Sequence, residues 1–309
     1  MKILVTGSGG LVGSALLESL TLGVGPARET HQAIRLVRSK EKTGPTAIYW
    51  NLQTGEIDTA RLEGFDAVVH LAGEGIAQGR WTAKKKAAIR ESRTKGTRFL
   101  AESLARLSHP PKVLVTASAI GYYGNRGEER LNEKSPPGSG FLAEVCREWE
   151  KATEPAAQKG IRVVNLRTGI VLSRKGGALS LMLPPFQWGV GGILGSGRQY
   201  MSWIAIDDLG GAITHALATE SLRGPVNAVT PQPVTNLQFT KILGRVLRRP
   251  TIFPLPAFVA RLLLGQMADE LLLASARVEP VMLTASGFRF LHPELEGALR
   301  YLLDRPIRL

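Results

Sequence analysis

The chain has 309 residues, of which 44% are hydrophobic and 21% charged, and its formal net charge is +13. This is an ordinary globular composition, and a chain of this length folds into one or two domains. No apolar run approaches the roughly 18 residues of a membrane span, so we expect no membrane partner.

Short β-branched apolar runs alternate with longer helical stretches in the N-terminal half. The predicted strands are Lys2 to Thr6, Ala33 to Val37, Ala67 to Leu71, Val113 to Ala117 and Arg162 to Leu166. The predicted helices are Gly13 to Leu22, Ala83 to Ser108 and Ala143 to Lys159. This alternation is typical of βαβ units, whose right-handed crossovers place helices on both faces of a parallel sheet. We therefore predict an α/β fold with a Rossmann-type doubly wound parallel sheet.

The pattern changes after Leu172. Pro184-Pro185 and the run from Gly189 to Gly197 are typical of loops, and further helices are predicted over Leu237 to Leu247, Pro256 to Ala274 and Pro293 to Leu303. We expect a smaller C-terminal α/β lobe on the substrate side, residues 173–309. The nucleotide-binding domain then comprises residues 1–172 and part of 200–230.

The first strand and the cysteine count bear on the cellular compartment. A strand that begins at Lys2 leaves no room for a secretory leader. The single cysteine, Cys146, cannot form an internal disulfide, and no Cys/His cluster has the spacing of a metal site. We expect a cytoplasmic protein without a bound metal.

A glycine-rich loop follows the first strand directly, from Thr6 to Gly13. Gly7 supplies a tight turn, Gly10 lets the backbone approach a pyrophosphate, and Gly13 lets the next helix pack against the sheet. The start of that helix, at Leu11 and Val12, presents free N–H groups to the phosphates. Because the loop lies between a strand and a helix, it predicts a dinucleotide site rather than a plain turn.

The end of the second strand indicates which dinucleotide binds. NAD enzymes usually carry an acidic residue there for the ribose 2′-hydroxyl, but this chain has Val37 followed by Arg38. A guanidinium can pair with a 2′-phosphate, which an acid would repel. We therefore predict NADP (NADPH) as the cofactor, the alternative being that Arg38 is a solvated arginine at a strand end.

The basic residues decide whether nucleic acid is a partner. Most are scattered, and the one dense run lies on the predicted helix that carries Lys84, Lys85, Lys86, Arg90, Arg93, Lys95 and Arg98. Such a run is more often a solvated helix face than a nucleic-acid surface. We expect no nucleic-acid partner.

Several segments together carry a family resemblance. They are Thr6 to Gly13, Asp66 to Glu74, Arg80-Trp81, Ser92-Arg93, Ser118 to Gly124, Arg167 to Leu172, Gly195 to Gln199, Ser202 to Leu209 and Ser286 to Phe288. With them the chain resembles the extended short-chain dehydrogenases/reductases, in their atypical NAD-dependent epimerase-like branch. The resemblance covers nearly the whole chain and implies a small-molecule substrate held between two lobes. Related dehydrogenases dimerise through helices beside the sheet, which makes a homodimer a further hypothesis.

The resemblance also implies cofactor contacts in three segments. Leu71, Ala72 and Gly73 correspond to the loop that passes the adenine ribose and central phosphates. Arg93 falls where other members place an asparagine beside the cofactor, and Arg167 belongs to the segment that borders the nicotinamide. The alternatives are that Leu71 and Ala72 are core residues and that Arg93 is one more charge on a basic helix.

The catalytic residues of the family that this chain resembles are only partly present. Most members use a serine, a tyrosine and a lysine four residues later that lowers the pKa of the tyrosine. Ser118 stands at the serine position, but Leu142 and Cys146 occupy the other two. We therefore name Ser118, Tyr122 and Tyr123 as candidate catalytic residues, since the two tyrosines follow the serine closely. Packing is the alternative role for the tyrosines, and Glu144 is a weaker candidate.

Two main hypotheses for function remain open. The first is an NADP-dependent oxidoreductase, or an epimerase of the nucleotide-sugar type, of unknown substrate. The second is a non-catalytic NADP-binding sensor or regulator, because loss of the tyrosine and lysine removes the usual chemistry. A cell-division- or RNA-associated regulator is a further interpretation, which draws on the net charge of +13. Fold alone does not choose between them.

Overall fold

The computed structural model describes residues 1–23, 30–77 and 79–304. Its strands are β1 (Lys2–Thr6), β2 (Gln32–Val37), β3 (Ala47–Asn51), β4 (Glu56–Ile57), β5 (Ala67–His70), β6 (Val113–Ala119), β7 (Arg130–Leu131), β8 (Arg162–Thr168), β9 (Ile170–Leu172), β10 (Tyr200–Met201), β11 (Trp203–Ala205), β12 (Gly224–Ala228), β13 (Val234–Thr235) and β14 (Arg277–Val278).

Helices connect most of these strands. They are α1 (Leu11–Leu22), α2 (Ala83–Ala105), α3 (Phe141–Lys151), α4 (Glu154–Gln158), α5 (Gly177–Gln187), α6 (Ile206–Ala218), α7 (Asn236–Leu247), α8 (Ala257–Leu264), α9 (Val281–Ala285) and α10 (Leu295–Asp304), together with a π-helical turn over Ala268–Leu272. Among the helices within the described ranges, none combines the length and the apolar character needed to cross a membrane.

The central sheet has eight strands in the order β12-β8-β6-β5-β1-β2-β3-β4. All neighbouring pairs are parallel except β3 with β4 at one edge. The chain builds outward from β1 to β3 and then crosses back to place β5 on the other side of β1. That reversal is the topological switch point at which α/β proteins bind ligands, and it confirms the predicted Rossmann-type fold.

Alternating side chains of the strands divide the core into two layers. Ile3 and Val5 of β1 pack with Leu16 of α1 and Ile213 of α6 in one buried cluster. Leu4, between them in sequence, belongs to a second buried cluster with residues of α2 and α4. Because successive strand residues point to opposite faces, apolar residues at every position require helices on both faces of the sheet.

Two predicted helices are wrong as single helices. The segment from Ala143 to Lys159 divides into α3 and α4, with Pro155 in the first turn of α4, where its missing N–H costs nothing. The segment from Pro256 to Ala274 divides at Gly265, whose φ of +60° ends α8 before the π-helical turn. Proline and glycine act here as the local signals that end helices.

The prediction of a loop at Pro184-Pro185 is also wrong, because both prolines lie inside α5. Proline removes a helical hydrogen bond, so propensity alone disfavours this helix. Leu179, Leu183 and Phe186 repeat at helical spacing and are buried against the C-terminal lobe. Tertiary packing of that face outweighs the local cost.

The C-terminal region is connected to the part of the chain that forms the central sheet at several points. β14 pairs with β7 in parallel. The Glu270 carboxylate accepts hydrogen bonds from the backbone N–H groups of Phe141 (3.1 Å) and Leu142 (2.8 Å), so the π-helical turn caps the start of α3. These contacts fix the position of α3 beside the ends of the sheet strands.

Candidate functional site

The glycine loop lies at the switch point and contacts the loop that follows β5. Gly7 has a φ of +69°, and a Cβ built there would lie 2.6 Å from the carbonyl carbon and oxygen of Leu71. A Cβ on Gly13 would overlap the carbonyl oxygen of Gly7. Gly10 closes the turn by donating to the Gly7 carbonyl at 3.0 Å and is the N-cap of α1. Gly7 and Gly13 are therefore required by sterics, and the turn at the switch point is built from closely packed backbone.

Hydrogen bonds of Thr6 and His70 connect the glycine loop to the loop that follows β5. The Thr6 hydroxyl lies 2.7 Å from Nδ1 of His70 and accepts from the backbone N–H of Ala72 at 3.3 Å. On the other side, Nε2 of His70 lies 3.1 Å from the Thr97 hydroxyl, which also accepts from Trp149 Nε1 at 2.8 Å. This chain of hydrogen bonds links β1, β5, α2 and α3 beneath the loop of Leu71, Ala72 and Gly73.

Burial makes His70 a pH-sensitive element of stability. The side chain is fully buried, and burial lowers its pKa to about 4. Above pH 6.5 the histidine is neutral in the folded and the unfolded chain. As the pH falls from 6.5 toward 4, only the unfolded chain takes up a proton, so the free energy of unfolding decreases.

We expect His70→Gln to remove this pH-dependent contribution. The free-energy difference between wild type and variant should shrink by about 3 kcal/mol from pH 7 to pH 4, since each pKa unit corresponds to about 1.4 kcal/mol. Urea unfolding across that range measures it, and comparison with wild type subtracts the titration of the carboxylates. A difference that is independent of pH would contradict a buried neutral His70.

Four charged side chains gather where the 2′-phosphate side of the cofactor is predicted. Arg38 directly follows β2 and is exposed. The pKa of Glu74 is lowered, chiefly by its hydrogen bond from Lys85 (2.6 Å) and also by the charges of Arg38 and Arg93. Glu74 is the one acidic residue among the four charged side chains, and it is already paired with Lys85. The remaining positive charge of Arg38 is therefore available to an anion.

Arg93 is held against the loop that follows β5. Its guanidinium donates to the backbone carbonyls of Glu74 (3.0 Å) and Ile89 (3.2 Å), lies 5.0 Å from the Trp149 ring centroid, and would be 3.5 Å from a Cβ on Gly73. Burial lowers the pKa of Arg93. The residue is therefore a fixed cation beside the predicted ribose and phosphate path rather than a solvated helix charge.

A buried ion pair lies at the ends of β6 and β8. Arg167, of which 3% of the side chain is exposed, donates to both carboxylate oxygens of Glu150, at 2.7 and 2.8 Å. The Ser118 hydroxyl donates to the same carboxylate at 2.8 Å. Burial acts to lower the pKa of Arg167, but the hydrogen bonds and charge of Glu150 raise it above its ordinary value, so Arg167 is a permanent cation.

The two candidate tyrosines differ in their surroundings. Tyr123 is fully buried; its hydroxyl donates to Asn227 Oδ1 (2.7 Å) and accepts from Arg167 (3.0 Å), and burial raises its pKa to about 12. Tyr122 is half-buried, and the Arg167 guanidinium lies over its ring, with Cζ 3.4 Å from the ring centroid. Tyr123 thus has structural contacts, whereas Tyr122 is only partly buried and lies beside a fixed cation.

The positions expected to carry tyrosine and lysine are apolar. A Cβ on Gly121 would lie 3.2 Å from Leu142 Cβ and 3.8 Å from Cys146 Sγ, so α3 packs closely against the segment after β6. Cys146 is buried, and burial together with the charge of Glu150 raises its pKa to about 12. A thiol in this state is neither nucleophile nor base at neutral pH. Glu144 is exposed and pairs with Arg90 at 3.0 Å.

Sequence reasoning missed three residues that organise the site. His70, Glu150 and Glu270 lie far apart in sequence and meet the predicted residues only through the sheet order and the C-terminal contacts. A histidine within an otherwise apolar strand was the one local signal for His70, since a buried polar group needs partners. No local pattern around Glu150 or Glu270 indicates the distant groups that they contact.

The sheet, its switch point and the glycine loop together define a Rossmann-type fold with the turn that is typical of dinucleotide-binding proteins. Residues 3–228 match the NAD dependent epimerase/dehydratase family, and residues 255–302 match a domain of unknown function, DUF1731. The chain belongs to the NAD dependent epimerase/dehydratase family, as its resemblance predicted.

Named relatives agree with this assignment over nearly the whole chain. An epimerase family protein of Mycobacterium tuberculosis is 43% identical over 304 residues, 98% of each chain. The crystal structure of human epimerase family protein SDR39U1 (isoform 2) with NADPH is 33% identical with a TM-score of 0.90, covering 99% of this chain and 100% of that chain. A nucleoside-diphosphate sugar epimerase from Corynebacterium glutamicum is 38% identical with a TM-score of 0.80, covering 98% of this chain and 58% of that chain.

Proposed function

We propose that the protein binds NADPH across the carboxyl ends of β1, β2 and β5 and uses it as an oxidoreductase on a small-molecule substrate. The observation that carries the proposal is the tight turn at the switch point: a Cβ on Gly7 would meet the Leu71–Ala72 backbone and a Cβ on Gly13 would meet the Gly7 carbonyl, so both positions must be glycine. The human relative crystallised with NADPH supports the same cofactor.

Each part of the cofactor has residues suited to it. Gly10, Leu11 and Val12 at the N-terminus of α1 would hold the pyrophosphate, because free N–H groups and the helix dipole favour negative charge. Arg38 would pair with the 2′-phosphate, and Val37 beside it would border the adenosine. When bound, NADPH supplies a hydride at its nicotinamide.

The nicotinamide end has one candidate proton donor among the residues named from the sequence. Ser118 is already donating to Glu150, and Tyr123 is fully buried. Tyr122 is half-buried, and its ring centroid lies 3.4 Å from the Arg167 guanidinium carbon, so the cation fixes the ring in place. We assign Tyr122 the proton-transfer role and Arg167 the role of positioning its ring.

The cofactor assignment is tested by calorimetric titration with NADPH and NADH. Wild type should bind NADPH at least tenfold more tightly, a difference of about 1.4 kcal/mol. Arg38→Ala should remove this preference by weakening NADPH alone, because NADH lacks the 2′-phosphate. Lys40→Ala is the matched control: this nearby exposed cation pairs with Glu56, and its loss should leave NADPH affinity within about twofold. Equal affinity of wild type for both cofactors would remove the NADPH proposal.

A non-catalytic NADPH sensor is the second candidate, favoured by Leu142 and Cys146 at the positions of the usual tyrosine and lysine. Two assays separate a reductase, an epimerase and a sensor. A reductase lowers the NADPH absorbance when carbonyl compounds are added, and an epimerase interconverts nucleotide sugars without net loss of NADPH. Nucleotide sugars are included as substrates because the similar structure from Corynebacterium glutamicum is a nucleoside-diphosphate sugar epimerase. Tight binding without either reaction would favour the sensor.

Tyr122→Phe then tests the assigned proton donor. This change keeps the ring on Arg167 and removes the hydroxyl, so we expect kcat to fall at least 100-fold while the NADPH Kd stays within about twofold. Steady-state kinetics and calorimetry on the same preparation give both values. Unchanged kcat would show that the proton comes from another group or from water.

A further inference from the structure

Seven large hydrophobic side chains are exposed in one part of the C-terminal lobe. They are Trp188 (79% exposed), Val190, Ile252, Phe253, Phe258 (69%), Leu262 (72%) and Leu263. At about 200 Å² for an aromatic side chain, the three aromatic residues alone expose several hundred Å². Monomeric soluble proteins rarely expose a contiguous apolar area of this size without a binding role. We call these seven residues the apolar surface.

The backbone brings the members of the apolar surface together. A Cβ on Gly189 would lie 3.6 Å from Pro250, and Leu194 forms a parallel bridge with Leu255, so the segment after α5 runs beside the segment before α8. Trp188 and Val190 therefore belong to a segment that runs beside the one that carries Ile252 and Phe253 and leads directly into α8.

Helix α8 has apolar residues on its solvent-exposed face as well as on its buried face. Phe258 and Leu262 are four residues apart and share one face of α8. Ala260, on the opposite face, is 1% exposed. The helix packs on the lobe through one side and presents phenylalanine and leucine to the outside. An apolar outer face is unusual for a surface helix, which normally carries polar residues there.

Basic residues predominate in the chain segment that carries most of the apolar surface. Residues 221–268 contain no aspartate or glutamate, and their basic residues are Arg223, Lys241, Arg245, Arg248, Arg249 and Arg261. Arg245 and Arg261 pair with Glu296 and Asp269 from outside this segment. Arg248 and Arg249 are exposed and form no ion pair within the described chain. The complementary partner is therefore both apolar and anionic.

We propose that the apolar surface docks the protein on an anionic lipid membrane. Exposed tryptophan, phenylalanine and leucine insert at the boundary between headgroups and acyl chains, while arginines contact lipid phosphates. A second copy of the chain fits less well, because a symmetric interface would bring two sets of unpaired arginines together. The proposal departs from the expectation of no membrane partner, which rested on the absence of long apolar runs and so concerned spanning segments only.

Vesicle sedimentation tests the proposal on the full chain. Phosphatidylcholine vesicles with one-third phosphatidylglycerol should sediment the protein, pure phosphatidylcholine vesicles should bind it at least tenfold more weakly, and high salt should weaken the anionic binding. The double variant Phe258→Ser/Leu262→Ser should lose at least tenfold in vesicle affinity. Leu22→Ser is the matched control, since Leu22 is 63% exposed on α1 and should leave vesicle binding unchanged.

Trp188 provides a second signal that sedimentation does not. It is the exposed one of the five tryptophans, since Trp50, Trp81, Trp149 and Trp203 are all buried. Its emission should therefore shift to shorter wavelength when anionic vesicles are added. Trp188→Phe should lose that shift while the protein still sediments with the vesicles.

Two results would overturn the proposal. One is no sedimentation and no emission shift with anionic vesicles at low salt. The other is a dimer in solution that Phe258→Ser/Leu262→Ser converts to monomer without any vesicle binding by wild type, which would assign the surface to a second copy. NADPH affinity should be the same in both serine variants and wild type, which confirms that they remain folded and separates this test from that of the cofactor.

Discussion

Arg167→Met should lower the free energy of unfolding by about 3–5 kcal/mol, because it leaves the Glu150 carboxylate with no cationic partner at a buried position. In the structure Arg167 gives two hydrogen bonds to Glu150, one to Tyr123 and a stacking contact to Tyr122. Methionine fills similar volume but offers none of these. Urea unfolding at neutral pH measures the loss.

A double-mutant cycle separates the pair from the individual side chains. Arg167→Met/Glu150→Met should recover most of the lost stability, since replacing both members of a buried pair with apolar residues is often nearly neutral. Arg90→Met is the matched surface control: its pair with Glu144 is partly exposed, so the expected loss is below about 1 kcal/mol. A similar loss for Arg90→Met and Arg167→Met would contradict the importance assigned to burial.

Gly7→Ala should lower NADPH affinity at least 100-fold and also destabilise the fold. The added Cβ would lie 2.6 Å from the Leu71 carbonyl, and a φ of +69° is strained for alanine. The backbone of the glycine loop or of the loop after β5 must therefore move, and both belong to the proposed phosphate surface. Calorimetric titration with NADPH and thermal unfolding report the two effects separately.

Gly9→Ala provides the comparison within the same loop. A Cβ on Gly9 would meet nothing within 4 Å, and its φ is outside the left-handed region. We expect its effects on stability and NADPH affinity to be small, within about 0.5 kcal/mol and threefold. Equal effects of the two substitutions would mean that loop flexibility, rather than the contact with Leu71, determines cofactor binding.

The strands and the glycine loop could be predicted because their causes are local. β-branched runs between helical stretches located β1, β2, β5, β6 and β8, and the position of Gly7 directly after β1 located the phosphate turn. β12 was harder to find, since Pro225 lies within it. Proline is acceptable there because β12 is an edge strand with a single neighbour, which only the sheet order reveals.

The chemistry of the nicotinamide end could not be predicted in the same way. Ser118, Tyr122 and Arg167 were identified individually, but their shared partner Glu150 is joined to them by the pairing of β6 with β8 and the packing of α3. The difference between Tyr122 and Tyr123, adjacent in sequence, comes from which of them faces Asn227 in the core. Such distinctions depend on long-range contacts, on which local sequence patterns carry no information.

The cap that Glu270 places on α3 has a consequence for truncation of the chain. The carboxylate that satisfies the helix start at Phe141 and Leu142 comes from the DUF1731 region. Because it accepts from backbone N–H groups, the cap requires the carboxylate at position 270 but no particular side chain at 141 or 142. A chain that lacks residues 255–302 leaves both N–H groups without this acceptor, so the first turn of α3 depends on a segment more than a hundred residues away.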